Sequence, residues 1–136
     1  MSLTKAEIIR LVNNYIEVSG GYLGDFSYQS HAEFYPTYCG IDNIDPFDYE
    51  GTTRERFIKI LETASPNVQA KIIRGIFLKM PPKSFELTKW EQKEQFYQEY
   101  LKIINRLELA PSKGISGNVQ NLIFAANGPK PEIVLK

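Results

Sequence analysis

The side chains best able to do chemistry crowd into one part of this 136-residue chain, residues 20–51 (GGYLGDFSYQSHAEFYPTYCGIDNIDPFDYEG). That stretch holds the single histidine, His31, the single cysteine, Cys39, and six acids, Asp25, Glu33, Asp42, Asp45, Asp48 and Glu50, without one Lys or Arg. A Cys–His pair can act as nucleophile and base, but it needs a third, orienting group, and zinc needs three or four converging ligands. The spacing supplies neither, so structural roles are expected for His31 and Cys39. Asp42, Asp45, Asp48 and Glu50 are spaced loosely like calcium ligands. An EF-hand, however, sets oxygen ligands at alternate positions with glycine at the sixth, and here Ile44 and Pro46 interrupt the series. The acids therefore read as a solvated rim, with a partner-docking patch as the alternative. Gly20 to Gly24 is glycine-rich but follows a helical pattern rather than a strand and lacks the lysine of a phosphate loop. Arg54 and Arg56 are expected to pair with the acids just upstream, and Lys71, Arg74 and Lys79 to form a weak, solvated basic edge. No catalytic residue, cofactor or metal site is predicted.

The same stretch is dense in rings: Tyr22, Phe26, Tyr28, Phe34, Tyr35, Tyr38, Phe47 and Tyr49. A disordered segment is poor in aromatics because it cannot bury enough apolar surface to offset its chain entropy. The stretch is therefore expected to be ordered, with Phe26, Phe34, Tyr38 and Phe47 packed onto the flanking helices. Tyrosine combines apolar area with a polar tip and is enriched at binding hot spots. Tyr22, Tyr28 and Tyr49, with Asp42, Asp45 and Asp48 to steer a basic partner, form the candidate contact surface.

Three capping boxes mark the elements that would hold this stretch: Thr4 with Glu7, Thr52 with Glu55 and Thr88 with Glu91. Apolar residues at helical spacing follow each of them, and Pro66 suits the first position of a further helix. The fold class expected is all-α, a compact bundle of about five helices near 4–18, 52–64, 66–80, 89–108 and 118–126. A long, ordered, aromatic-rich connection joins the first two. The helices at 52–64 and 66–80 are expected to form an antiparallel hairpin. Between them and the first helix, Ser30 could cap a short helix that Pro36 would break. Residues 129–136, with Pro129 and Pro131, read as a stiff linker to a further domain, so that 1–128 is the helical domain.

Composition bounds the function. A hydrophobic share of 43% and a charged share of 24% are ordinary globular values. Sixteen basic against sixteen acidic residues give no overall field toward nucleic acid or an anionic membrane. The balance is uneven, since residues 52–136 carry fourteen bases and eight acids, and the simplest expectation is that the two parts neutralise each other across the fold. A lone cysteine, and no apolar run near the ~20 residues of a membrane span, point to a cytoplasmic protein.

The strings LTKAEIIRLVNNYI, SGGYLGDFSY, HAEFYPTYCG, EGTTRERFIKILE and NVQAKIIRGIF, with IFAANGPKPEIVL near the end, resemble the N-terminal domain of bacterial abortive-infection proteins of the AbiJ kind. The resemblance implies an accessory, non-enzymatic interaction or sensor module in phage defence. Its partner would be a C-terminal effector domain of the same protein, often of the HEPN ribonuclease class, whose signature places a His four to six residues after an Arg. His31 has no such Arg before it, so the effector would lie elsewhere. The resemblance also leaves room for a homodimer and for a phage or host protein as partner; no membrane is implied. Two further readings stand beside it: an RNA- or DNA-binding domain using the basic excess after Thr52, and a small hydrolase with its site in residues 20–51.

Overall fold

The computed structural model describes residues 2–19 and 22–109, which form the all-α bundle expected. Helix α1 (Lys5–Arg10) starts on the Thr4/Glu7 capping box and continues without a break as a π-helical stretch, Leu11–Ile16. It stops at Glu17, which takes a positive φ of 75°, two residues earlier than the sequence pattern implies. A two-residue antiparallel ladder follows, β1 (Val18–Ser19) with β2 (Tyr22–Leu23). Helix α2 (Tyr28–Phe34) is capped by Ser27 with Ser30, not by Ser30 with Glu33. Pro36 does not break it. The chain widens instead into a π turn, Tyr35–Cys39, with the proline in its first positions, where a missing N–H costs least. Gly40 closes that turn in the left-handed conformation, φ 68°, as a helix end favours.

A 3-10 turn, Pro46–Asp48, leads to α3 (Thr53–Thr63), which starts on the Thr52/Glu55 capping box, and Ser65 then caps α4 (Pro66–Lys79). Two 3-10 turns, Pro82–Ser84 and Leu87–Lys89, precede α5 (Trp90–Glu108). The third capping box does not form: Thr88 lies inside the second of these turns, and α5 begins without a side-chain cap. The α3–α4 hairpin is also replaced. Ala64 and Ser65 are extended, which turns a corner, and α4 packs mainly on α5 and the π turn while α3 packs on α1 and the β-ladder. Gln69 pins this corner, donating to the Leu61 carbonyl (2.8 Å) and accepting from the Leu3 amide (3.0 Å). The expected helix over 118–126, and the linker reading of 129–136, lie outside the described residues.

One core runs through the molecule, from Leu11, Val12 and Tyr15 to Phe57, Leu61, Ile72, Ile76, Phe96, Tyr100 and Leu107. Fully burying each such side chain contributes about 1.5–3 kcal/mol. Its two inner tyrosines keep their hydroxyls satisfied, Tyr15 donating to the Met80 carbonyl (2.6 Å) and Tyr100 to the Glu7 carbonyl (2.7 Å). Burial pushes both phenols above their ordinary pKa.

Candidate functional site

The aromatic stretch is held by its inner rings. Phe26, Phe34 and Tyr35 are buried, and Phe34 meets Phe26 edge-on at 5.4 Å and Tyr35 at 5.1 Å. The π turn can approach α4 this closely because Gly75 faces it. A Cβ there would stand 2.5 Å from Cys39 Sγ and 3.2 Å from both Phe34 Cζ and the Tyr38 carbonyl. Tyr38 stacks loosely on Phe34 at the surface (6.0 Å). Phe47, expected inside, is 55% exposed, because its amide is held to the Asp45 carboxylate (3.0 Å) in a turn that aims the ring outward.

His31 and Cys39 are both buried. His31 Nε2 lies 2.7 Å from the Tyr35 hydroxyl, and Nδ1 has no hydrogen-bond partner among the described residues. Burial, with a smaller contribution from the Arg56 charge, pulls its pKa down to about 4. Burial pushes the Cys39 thiol up to about 12. A neutral imidazole and an un-ionised thiol, both sealed from solvent, are packing groups at neutral pH. Among the described residues no three His, Cys, Asp or Glu side chains converge as a metal would require.

The outer side of the stretch builds a shelf. The Arg56 guanidinium lies 4.4 Å over the Tyr28 ring and 5.9 Å from that of Phe47, a geometry in which ring quadrupole and cation attract. The Tyr28 hydroxyl reaches the Gly51 carbonyl (3.4 Å), which joins α2 to the loop before α3. Beside it, Asp48, Tyr49, Glu50, Gly51, Glu55 and Lys59 line an open hollow. The expectation that Arg54 and Arg56 pair with upstream acids therefore fails: Arg56 is taken by rings and Arg54 reaches Asn13 (3.4 Å). Of the predicted contact residues, Tyr28, Asp45, Asp48 and Tyr49 come together here. Tyr22, 66% exposed on β2, and Asp42, exposed in the loop after Gly40, do not belong to the shelf. Sequence reading missed Phe47 as an outward ring and Arg56 as its clasp; the one available signal was the Arg at the fourth position of α3 opposite two aromatic runs.

Among the described residues, Asp25 alone of the acids of this stretch joins an ion pair, with Lys79 at 3.3 Å, and its side chain is itself 79% exposed. Glu33 accepts from Gln29 (3.0 Å) and Asp45 from the Phe47 amide, whereas the carboxylates of Asp42, Asp48 and Glu50 are exposed and accept no hydrogen bond within the described residues. Several bases outside the stretch are held by acids outside it: Lys5 with Glu62, Arg10 with Glu99, Arg74 with Glu108, Lys89 and Lys93 with Glu17, Arg106 with Glu7. Among the described residues, the two parts of the chain share one ion pair, Asp25 with Lys79, rather than neutralising each other. No helix among the described residues is long and apolar enough to cross a membrane. No protein family, no curated protein and no solved structure matches this chain.

Proposed function

We propose that this chain is a non-enzymatic binding module whose contact surface is the shelf around Tyr28, Phe47, Asp48, Tyr49 and Glu50, and that its partner presents basic side chains. The observation that carries this reading is the set of exposed carboxylates, unpaired among the described residues, beside two outward rings. Apolar area with unmatched charge gives a partner both affinity and steering. In keeping with the resemblance to abortive-infection proteins of the AbiJ kind, the module would position or restrain an effector in phage defence, inside the cell. A nucleic-acid reading is disfavoured because Arg10, Arg74, Arg106, Lys89 and Lys93 are each held by a carboxylate, while such binding needs free bases gathered on one face.

The test is association with the effector domain of the same protein, followed by calorimetry at several salt concentrations. Asp48→Asn with Glu50→Gln is expected to weaken binding about tenfold and to flatten its salt dependence. Unchanged affinity and salt slope in that variant and in Tyr28→Ala would remove the shelf as the contact surface. Nuclease or hydrolase turnover by this chain alone would overturn the non-enzymatic reading.

A further inference from the structure

Arg56 is held unlike the other arginines of the chain. Arg10, Arg74 and Arg106 each donate to a carboxylate, and Arg54 donates to the Asn13 side-chain oxygen. The Arg56 side chain donates no hydrogen bond among the described residues, and its Nε is sealed from solvent without an acceptor there. A sealed donor without a partner is uncommon in a folded chain. Rings hold it instead, Tyr28 at 4.4 Å and Phe47 at 5.9 Å. Contact with a ring fixes a guanidinium without using its N–H groups, which leaves the planar fork pre-organised for a carboxylate. Arg10 shows the completed form of this arrangement: its guanidinium lies 5.1 Å from the Phe96 ring and 5.8 Å from that of Tyr100 and donates through both terminal nitrogens to Glu99. Three residues beyond Arg56, on the same side of α3, Lys59 is exposed and in no ion pair among the described residues, and it lines one hollow with Asp48 and Glu50.

We propose that Arg56 receives a carboxylate of the partner, so that the partner segment is of mixed charge: one acidic side chain set against α3, with basic side chains beside it set against Asp48 and Glu50. This rests on the reading of the shelf as a contact surface for a basic partner, and narrows it. Charge complementarity carries the step. A wholly basic segment would bring its cations against Arg56 and Lys59 and cover a ring-held guanidinium without giving it an acceptor, which desolvates charge for no return. A wholly acidic segment would meet Asp48 and Glu50. Both signs in one segment match the whole shelf, and like charges brought together reject the other two. A phosphate, with its higher charge, is opposed by the same two acids. A fork-to-carboxylate pair also adds geometric selectivity that steering by charge alone lacks.

Two blocked peptides, Lys-Ala-Glu-Ala-Lys and Lys-Ala-Gln-Ala-Lys, test this on the native chain at low salt and neutral pH, with affinity read by NMR titration and the Arg56 Nε–Hε signal followed directly. The glutamate peptide is expected to bind about threefold tighter, although its net positive charge is smaller, and it alone should move the Arg56 signal. Arg56→Lys keeps the charge but loses the fork, and should bring the two peptides to the same affinity. Inorganic phosphate should leave the Arg56 signal in place. A glutamine peptide that binds as tightly as its counterpart, a glutamate preference that survives Arg56→Lys, or a phosphate shift as large as the peptide's would each overturn the proposal and leave the basic-partner reading standing. Asp48→Asn with Glu50→Gln should weaken both peptides alike. Unchanged binding of both in that variant, or binding of neither peptide to the native chain, would remove the shelf reading and this inference with it.

Discussion

The surface of the α1–α5 frame and the shelf on α2 and α3 treat charge in opposite ways. In the frame, Glu7 accepts two bonds from Arg106 (2.8 and 2.9 Å), Arg10 grips Glu99 and lies over Phe96, and Glu17 gathers Lys89 and Lys93. Hydrogen bonds from Arg106 hold Glu7 below the usual carboxylate range. Burial pulls Glu17 the other way, but the bonds from Lys93 and Lys89 outweigh it. On the shelf, Asp48 and Glu50 have no such partner among the described residues, and the nearby Arg56 is taken by rings. Charge in the frame is used to fix helix ends, whereas charge on the shelf is left facing solvent beside two rings. The difference is informative because the two regions share one core, so the shelf is no less folded for leaving its charges unmatched.

The largest break in the comparison is expected from the rings beneath the shelf. Phe34 is 1% exposed, and Phe34→Ala should cost about 4 kcal/mol through lost transfer energy and the cavity left against Tyr35 and Gly75. Phe47→Ala should stay within about 1 kcal/mol, because that ring is more than half exposed and contributes chiefly an exposed contact with Arg56. Urea denaturation of both variants checks the pair. Equal costs would mean that the shelf's inner and outer layers are not distinct.

Acid provides the next effect. His31 is fully buried and its pKa falls to about 4 in the folded chain, against about 6.5 when unfolded. A group whose folded pKa is depressed lets the unfolded state take up the proton first, so stability is lost as pH falls through the window between the two values. The loss should reach about 2 kcal/mol by pH 5 and about 3 by pH 4. Chemical denaturation from pH 7 to pH 5, above the carboxylate range, should show this slope in the native chain and a shallower one in His31→Gln. Equal slopes would mean that the imidazole titrates normally.

The helical frame was legible because capping boxes and helical spacing are local signals. Thr4, Thr52 and the Ser65–Pro66 pair act over three or four residues, and the ends they predict hold to within about one residue. What could not be read was non-local or register-dependent. Thr88 has a good partner at Glu91, but Trp90 donates to the Phe85 carbonyl (2.8 Å) and the preceding 3-10 turn takes Thr88 into its own geometry. The π turns at Leu11–Ile16 and Tyr35–Cys39 depend on what packs outside them, as the contact between Gly75 and Cys39 shows. Rings and acids marked the candidate surface, yet which rings faced out was decided by Asp45, whose carboxylate turns Phe47 away from the core.

The smallest effects give the sharpest form of the comparison, because they remove one charge from each region. Lys93 is almost fully buried and donates to the Asn14 carbonyl (2.8 Å), the Tyr15 carbonyl (2.7 Å) and the Glu17 carboxylate (2.7 Å). It thereby closes the end of the first helix, where Glu17 sits in a backbone conformation that non-glycine residues rarely adopt. Its ammonium also lies 4.2 Å from the Phe85 ring. Lys93→Met keeps much of the stem's packing but leaves those carbonyls without their donor, and about 2 kcal/mol of stability should go with it. Asp48→Asn should change stability by less than about 0.5 kcal/mol, because that carboxylate makes no bond within the described residues and stands among like charges. Thermal denaturation at low and high salt separates the two. A substantial loss of stability from Asp48→Asn would show that the acids support the fold, and the outward-facing role of the shelf would fall with that result.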